Sequence, residues 1–269
     1  MSLIRGRKAH TLFLTGRVLF LTVSLGFAVL AIMATPRMTL LTPSTQAPTL
    51  VAKGSNRTND EGVIEWTQTF GGFDWDRGEW VEQTADGGYI ITGIIDHADV
   101  WLIKTDAHGH AEWNQTYGGP HTDWGYCVAQ TTDGGYIITG WTRSYGAGEH
   151  DLWLIKTDAG GNVVWNQTYG GPDIDYGYCV AQTTDGGYII TGSTGRTSVQ
   201  GEPSSKGGDV WLIKTDADGN AEWTQTYGNP FVDIHDRGEY VEQTADGGYI
   251  ITGCFMAGDV WLIKTDADG

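Results

Sequence analysis

One phrase occurs four times in this chain, and any fold must accommodate it. DGGYIITG begins at Asp86, Asp133, Asp185 and Asp246. WLIKTD follows from Trp101, Trp153, Trp211 and Trp261. A third phrase, WTQTF, WNQTY, WNQTY and WTQTY, starts at Trp66, Trp113, Trp165 and Trp223. The DGGY tyrosines, Tyr89, Tyr136, Tyr188 and Tyr249, are spaced by 47, 52 and 61 residues, which makes the unit about 50 residues long. A unit of this size cannot bury its apolar residues alone and stacks on its neighbours.

Each unit holds four strand-like runs rich in β-branched and aromatic residues. In the second copy they are YCVAQT from Tyr126, YIITGWT from Tyr136, DLWLIKTD from Asp151 and VVWNQTY from Val163. Asp-Gly-Gly between runs one and two is a tight-hairpin signal, because glycine supplies positive φ. Asp-Ala-x-Gly between runs three and four suits a type I turn closed by a left-handed glycine. Pairing of those two runs is expected to bring Trp153 near Trp165. The eight repeat tryptophans are assigned to packing between sheets. Lys104, Lys156, Lys214 and Lys264 fall on the opposite strand face, where they are expected to pair with acids.

A repeated four-stranded antiparallel unit is the blade of a β-propeller. The chain supplies a lone fourth run first, Val63 to Phe70, and its last unit stops after the third run. The expected fold is therefore all-β: a β-propeller of four four-stranded blades closed by strand 63–70, which removes the open edges. The blades lie near 71–119, 120–171, 172–229, and 230–269 plus 59–70. The alternative is a fragment of a larger propeller.

Residues 1–17 are basic and residues 18–34, VLFLTVSLGFAVLAIMA, are uncharged and mostly apolar. This reads as a signal peptide or an N-terminal membrane anchor, with the repeats outside the cell in either case. Residues 35–58 form a Thr/Pro/Ser-rich linker with a glycosylation sequon at Asn56. The chain carries −17 overall. The leader holds four of the 16 basic residues and no acid, so the remainder, with 12 basic and 33 acidic residues, carries −21. Such a surface excludes nucleic acid as a partner. Membrane contact is confined to residues 18–34.

The three cysteines, Cys127, Cys179 and Cys254, have no metal-ligand spacing. Cys127 and Cys179 share a repeat position with Trp80 and Tyr240, which marks it as a packing position. Buried thiols are expected, with an inter-repeat disulfide as the rival.

The turn sequences Asp-Gly-Gly and Asp-Ala-x-Gly barely vary and share one face. The loops between runs two and three share the other face with the crossings between blades, and they vary greatly: IIDHA from Ile94, WTRSYGAGEH from Trp141, STGRTSVQGEPSSKGG from Ser193 and CFMAG from Cys254. Binding concentrates on such loops. The candidate ligand-binding residues there are Trp75, Trp124, Tyr176, His121, His235 and Trp141; His97 and His150 share the face. Each crossing ends in Asp-x-Gly, at Asp76, Asp123, Asp175 and Asp236. Four carboxylates around one mouth suit Ca²⁺; equally, each Asp suits a backbone cap. No nucleophile elbow, His-rich metal motif or phosphate loop is present, so no catalytic residue is assigned.

The combination DGGYIITG…DxWLIKTD…WNQTYGG resembles a repeat of secreted and cell-surface proteins of archaea and bacteria, many of which look like β-propellers without an assigned activity. The likeness covers residues 59–269. It implies a propeller outside the cell and no chemistry. The architecture is more distantly similar to kelch, WD40 and quinoprotein propellers, but the WD40 Gly-His and Trp-Asp pairs are absent and no quinoprotein cofactor residues carry over. The expected function is an extracellular or surface-anchored binding module for a glycan, a surface protein or a cation. The alternatives are an extracellular propeller enzyme (lyase, hydrolase or quinoprotein-like) and a structural component of the cell envelope.

Overall fold

The computed structural model describes residues 64–196, 208–228, 235–255 and 258–269. The leader, the linker and Val63 lie outside them, as do most of the long third-repeat loop and of the last crossing. No helix of the described residues is long and apolar enough to cross a membrane. These residues form four antiparallel sheets, one per repeat.

The first sheet is β1 (Arg77–Gln83), β2 (Tyr89–Ile95), β3 (Asp99–Thr105) and β4 (Ala111–Tyr117). The second is β5 (Asp123–Gln130), β6 (Tyr136–Thr142), β7 (Asp151–Thr157) and β8 (Val163–Tyr169). The third is β9 (Ile174–Gln182), β10 (Tyr188–Arg196), β11 (Asp209–Thr215) and β12 (Ala221–Tyr227). The fourth has three strands, β13 (Arg237–Gln243), β14 (Tyr249–Phe255) and β15 (Asp259–Thr265). Strands pair in chain order within each sheet. This is a propeller-like arrangement, and no sheet closes on another.

The turns follow from their residues. In the second sheet Gly134 takes φ 83°. Asp133 Oδ1 accepts from the Gly135 N–H at 2.9 Å and from the Thr131 hydroxyl at 2.5 Å. Lys156 reaches back from β7 to Asp133 Oδ2 at 2.9 Å and to the Thr157 carbonyl at 2.8 Å. Burial opposes ionisation of Asp133, but the Lys156 and Thr131 bonds outweigh it and hold its carboxyl at about 2. Lys104, Lys214 and Lys264 make the same pairing with Asp86, Asp185 and Asp246, as the repeat leads one to expect.

The register of the second hairpin corrects one expectation. Trp153 opposes Thr168, and Trp165 opposes Lys156. The two tryptophans are not cross-strand neighbours, because the glycine-closed turn inserts a bulge at Lys156/Thr157 that shifts the register. Trp165 instead packs forward on Tyr188 of the next sheet, with ring centroids 5.8 Å apart. Trp113 meets Tyr136 at 5.7 Å and Trp223 meets Tyr249 at 5.7 Å in the same way.

Sheet-to-sheet packing repeats as well. Leu152 and Leu154 of β7 are fully buried, and so are Val210 and Leu212 of β11 to within 1 %. Gly177 in β9 must be glycine for this fit, since a Cβ there would lie 2.9 Å from Leu152 Cγ. Polar clasps bridge the turns: Gln130 Oε1 accepts from the Ala85 N–H at 2.8 Å, Gln182 from Thr132 at 2.8 Å and Gln243 from Thr184 at 2.9 Å. Trp80, Cys127, Cys179 and Tyr240 converge. Cys127 Sγ and Cys179 Sγ are 3.8 Å apart as free, buried thiols, and Trp80 stacks on Tyr240 at 6.2 Å. This is the packing role expected of that position.

The fourth sheet departs from expectation. Residues 64–70, expected as its closing strand, are assigned to no strand, and β15 ends the sheet. The segment docks by its side chain on the first sheet instead, where Trp66 meets Tyr89 at 5.8 Å. Side-chain docking onto the following sheet and strand pairing with its own sheet are separate interactions, and among the described residues 64–70 form no strand. The faces at this seam are uncovered: Val260 and Leu262 are 88 % and 67 % exposed, and Val81 on β1 is 60 % exposed. Their counterparts Val210, Leu212 and Val128 are buried to 1 % or less.

Candidate functional site

The β2–β3-type loops and the crossings are tied together on one face by backbone bonds. The Asp123 N–H donates to the Ala98 carbonyl at 2.6 Å, Asp175 to His150 at 2.8 Å and Asp236 to Gly208 at 2.8 Å. Candidate residues from three sheets meet there because their loops are pinned to the next crossing.

The crossing aspartates are staples. Asp123, fully buried, accepts from the Thr142 hydroxyl, the Ser144 hydroxyl at 2.7 Å, and the N–H groups of Gly119 at 2.9 Å and Arg143 at 3.1 Å. Asp175 repeats this with Gly171 at 3.0 Å and the Thr194 hydroxyl at 2.5 Å. Asp76, partly exposed, accepts from Gly72 at 2.9 Å and Asp96 at 3.0 Å. Asp236 is 2 % exposed. These bonds fit the backbone-cap role. Among the described residues no group of three or more His, Cys, Asp or Glu could hold a metal ion.

Beside the staples stand acids whose place the repeat did not reveal. Gly118 lies between Asp99 and Asp123: a Cβ there would fall 2.0 Å from Asp99 Oδ1 and 2.9 Å from Asp123 Oδ2. Burial, then Asp123 and Asp96, push the Asp99 carboxyl up to about 6. Asp151 and Asp209 are raised for the same leading reason, each with a neighbouring acid, Asp175 and Asp236. The signal was the first residue of DxWLIKTD, which opens the third strand in every copy.

The aromatic candidates do assemble. Trp75, 41 % exposed, stacks on His97 at 4.5 Å and meets Trp124 edge-on at 5.7 Å. Trp124 lies 6.1 Å from Trp141, and Trp141 lies 6.1 Å from Tyr176. Trp141 is buried and braces the others, with its Nε1–H donating to the Tyr126 hydroxyl at 3.1 Å. His121 is exposed and held through its backbone N–H to the Ser144 hydroxyl at 3.0 Å. His235 is exposed beside Asp236. Asp96 and His97 both take left-handed φ, 51° and 57°. Such conformations in residues with a Cβ cost of order 1 kcal/mol each and gather at functional sites.

Sequence reasoning missed a second ring position. The first strand of each sheet bulges after the glycine of Asp-x-Gly, and the bulged residues are Glu79, Tyr126, Tyr178 and Glu239. Gly140 makes room for the bulge, because a Cβ there would meet the Trp124 carbonyl oxygen at 1.7 Å. Tyr126 and Tyr178 stack at 5.3 Å. The position two residues before carries Arg77, Trp124, Tyr176 and Arg237. The second and third sheets thus present aromatics, while the first and fourth present Arg–Glu pairs. Arg77 lies over Trp124 at 5.9 Å and Arg237 over Tyr178 at 5.7 Å. Glu79 accepts from Arg77 Nε at 3.1 Å and from Trp124 Nε1–H at 2.9 Å. Burial and the adjoining Tyr126 push the Tyr178 hydroxyl up to about 12, so it stays a neutral donor.

No protein-family model and no curated protein matches the chain. Among solved structures, a protein of unknown function from Bacteroides caccae is similar at 9 % identity and a TM-score of 0.37, over 78 % of this chain and 84 % of that one.

Proposed function

We infer that this chain is a glycan-binding module carried outside the cell by its apolar leader. The observation that carries the reading is the set of part-exposed rings Trp75, Trp124 and Tyr176, braced by the buried Trp141, with Tyr126 and Tyr178 beside it. Partly exposed aromatic faces bordered by fixed hydrogen-bonding groups match a sugar ring, which has apolar faces and a polar rim. A glycan array probed with the repeat domain tests this. Binding to a set of glycans that is lost on Trp124→Ala, with the urea midpoint kept, is the expected result. Equal binding by that variant removes the aromatic face from the account.

The same reading takes the fold as a four-bladed propeller closed by strand 63–70. Three inter-sheet junctions are built alike, and the fourth has both halves: Val260 and Leu262 on β15 and Val81 on β1, all exposed. Trp66 already holds the fourth-strand position on Tyr89. Closure would give β15 a partner and let Gln83 clasp the turn at Ala245 as Gln130 clasps Ala85.

A further inference from the structure

We propose that the loop face binds a neutral oligosaccharide lying across the first three sheets, and not a charged glycan, a cation or a single sugar. This rests on the glycan reading of that face.

The charge pattern selects neutrality. Arg77 lies over the Trp124 ring and Arg237 over the Tyr178 ring. A cationic ligand there meets a like charge on the aromatic surface that would otherwise attract it. Anionic ligands face a different obstacle. Arg77 is paired with Glu79 and Arg237 with Glu239, so neither guanidinium offers an unopposed charge. The chain itself carries −17 and repels polyanions at long range. What remains at each end of the aromatic run is a fixed donor beside a fixed acceptor. Such a pair is matched by adjacent sugar hydroxyls, which both donate and accept.

The layout selects length and direction. Trp75, Trp124 and Tyr176 belong to successive crossings, and the buried Trp141 links the last two through ring steps of 6.1 Å. A run of this kind is longer than one pyranose. The rings of the run come from three successive sheets, so a ligand following them runs across the sheets.

Calorimetric titration of the full-length protein with neutral cello-, malto- and manno-oligosaccharides of rising length, and with oligogalacturonides, at low and high salt, tests this. Expected is a neutral series whose affinity grows with length to a plateau and does not change with salt. Trp75→Ala, at an exposed ring, should weaken the longest bound member about tenfold and leave the shortest unchanged, with partial recovery in Trp75→Phe. Tighter binding of the uronides that fades with salt, or affinity independent of length, overturns the proposal and leaves the glycan reading standing. Binding of no glycan at all overturns that reading itself, and this proposal with it.

Discussion

Trp66 sits on Tyr89 with ring centroids 5.8 Å apart, the same contact that Trp113 makes with Tyr136 and Trp165 with Tyr188. Trp113 and Trp165 lie in the fourth strands β4 and β8, whereas Trp66 lies in a segment that forms no strand among the described residues. The contact also covers the left-handed Gly109, where a Cβ would lie 2.5 Å from the Trp66 ring. Trp66→Ala should lower stability by about 2 kcal/mol, less than Trp165→Ala, because Trp66 is 37 % exposed. Urea denaturation of both variants measures the difference.

Asp123→Ala should cost roughly 3 kcal/mol, since it strands several buried donors at once. Asp76→Ala, at a partly exposed position with two bonds, should cost about 1 kcal/mol. If the aspartates act as staples, saturating calcium leaves the melting temperature of the wild type unchanged. A calcium-dependent rise would restore them as ligands.

Much of this could be read directly from the repeat. Asp-Gly-Gly marks its turn because glycine alone takes the required φ, and the Lys104 family pairs with acids because alternation fixes its side of the strand. Alternation fails where a bulge intervenes. That is why Trp153 and Trp165 were expected to meet, and why Tyr126 and Tyr178 went unnoticed beside Trp124 and Tyr176. Contacts between sheets leave no local period. The Asp99–Asp123 juncture therefore became visible only with both repeats in place.

Asp99 gives the fold a pH dependence of definite sign. Its carboxyl titrates at about 6 when folded, above the ordinary aspartate value of 3.8, so the ionised form opposes folding. The penalty is fully present above pH 6 and is relieved as pH falls from 6 toward 3.8. Asp99→Asn should therefore stabilise the protein above pH 6, with a gain that vanishes near pH 3.8. The urea midpoint against pH, for both proteins, reads this out.

Cys127 and Cys179 are 1 % and 2 % exposed, while Cys254 is half-buried. A thiol reagent should modify Cys254 first in the native protein, and all three cysteines after denaturation without reductant. A single reactive thiol in the denatured protein would instead mean that Cys127 and Cys179 are joined.

The account depends most on whether Val63 to Phe70 completes the fourth sheet. Amide hydrogen exchange of the monomeric repeat domain tests it directly. Closure predicts protection of alternate amides in 64–70 and of β15 comparable to that of β4 and β8, all lost together when residues 59–70 are deleted. Fast exchange throughout 64–70, with β15 unprotected as a free edge, would contradict a closed ring of four.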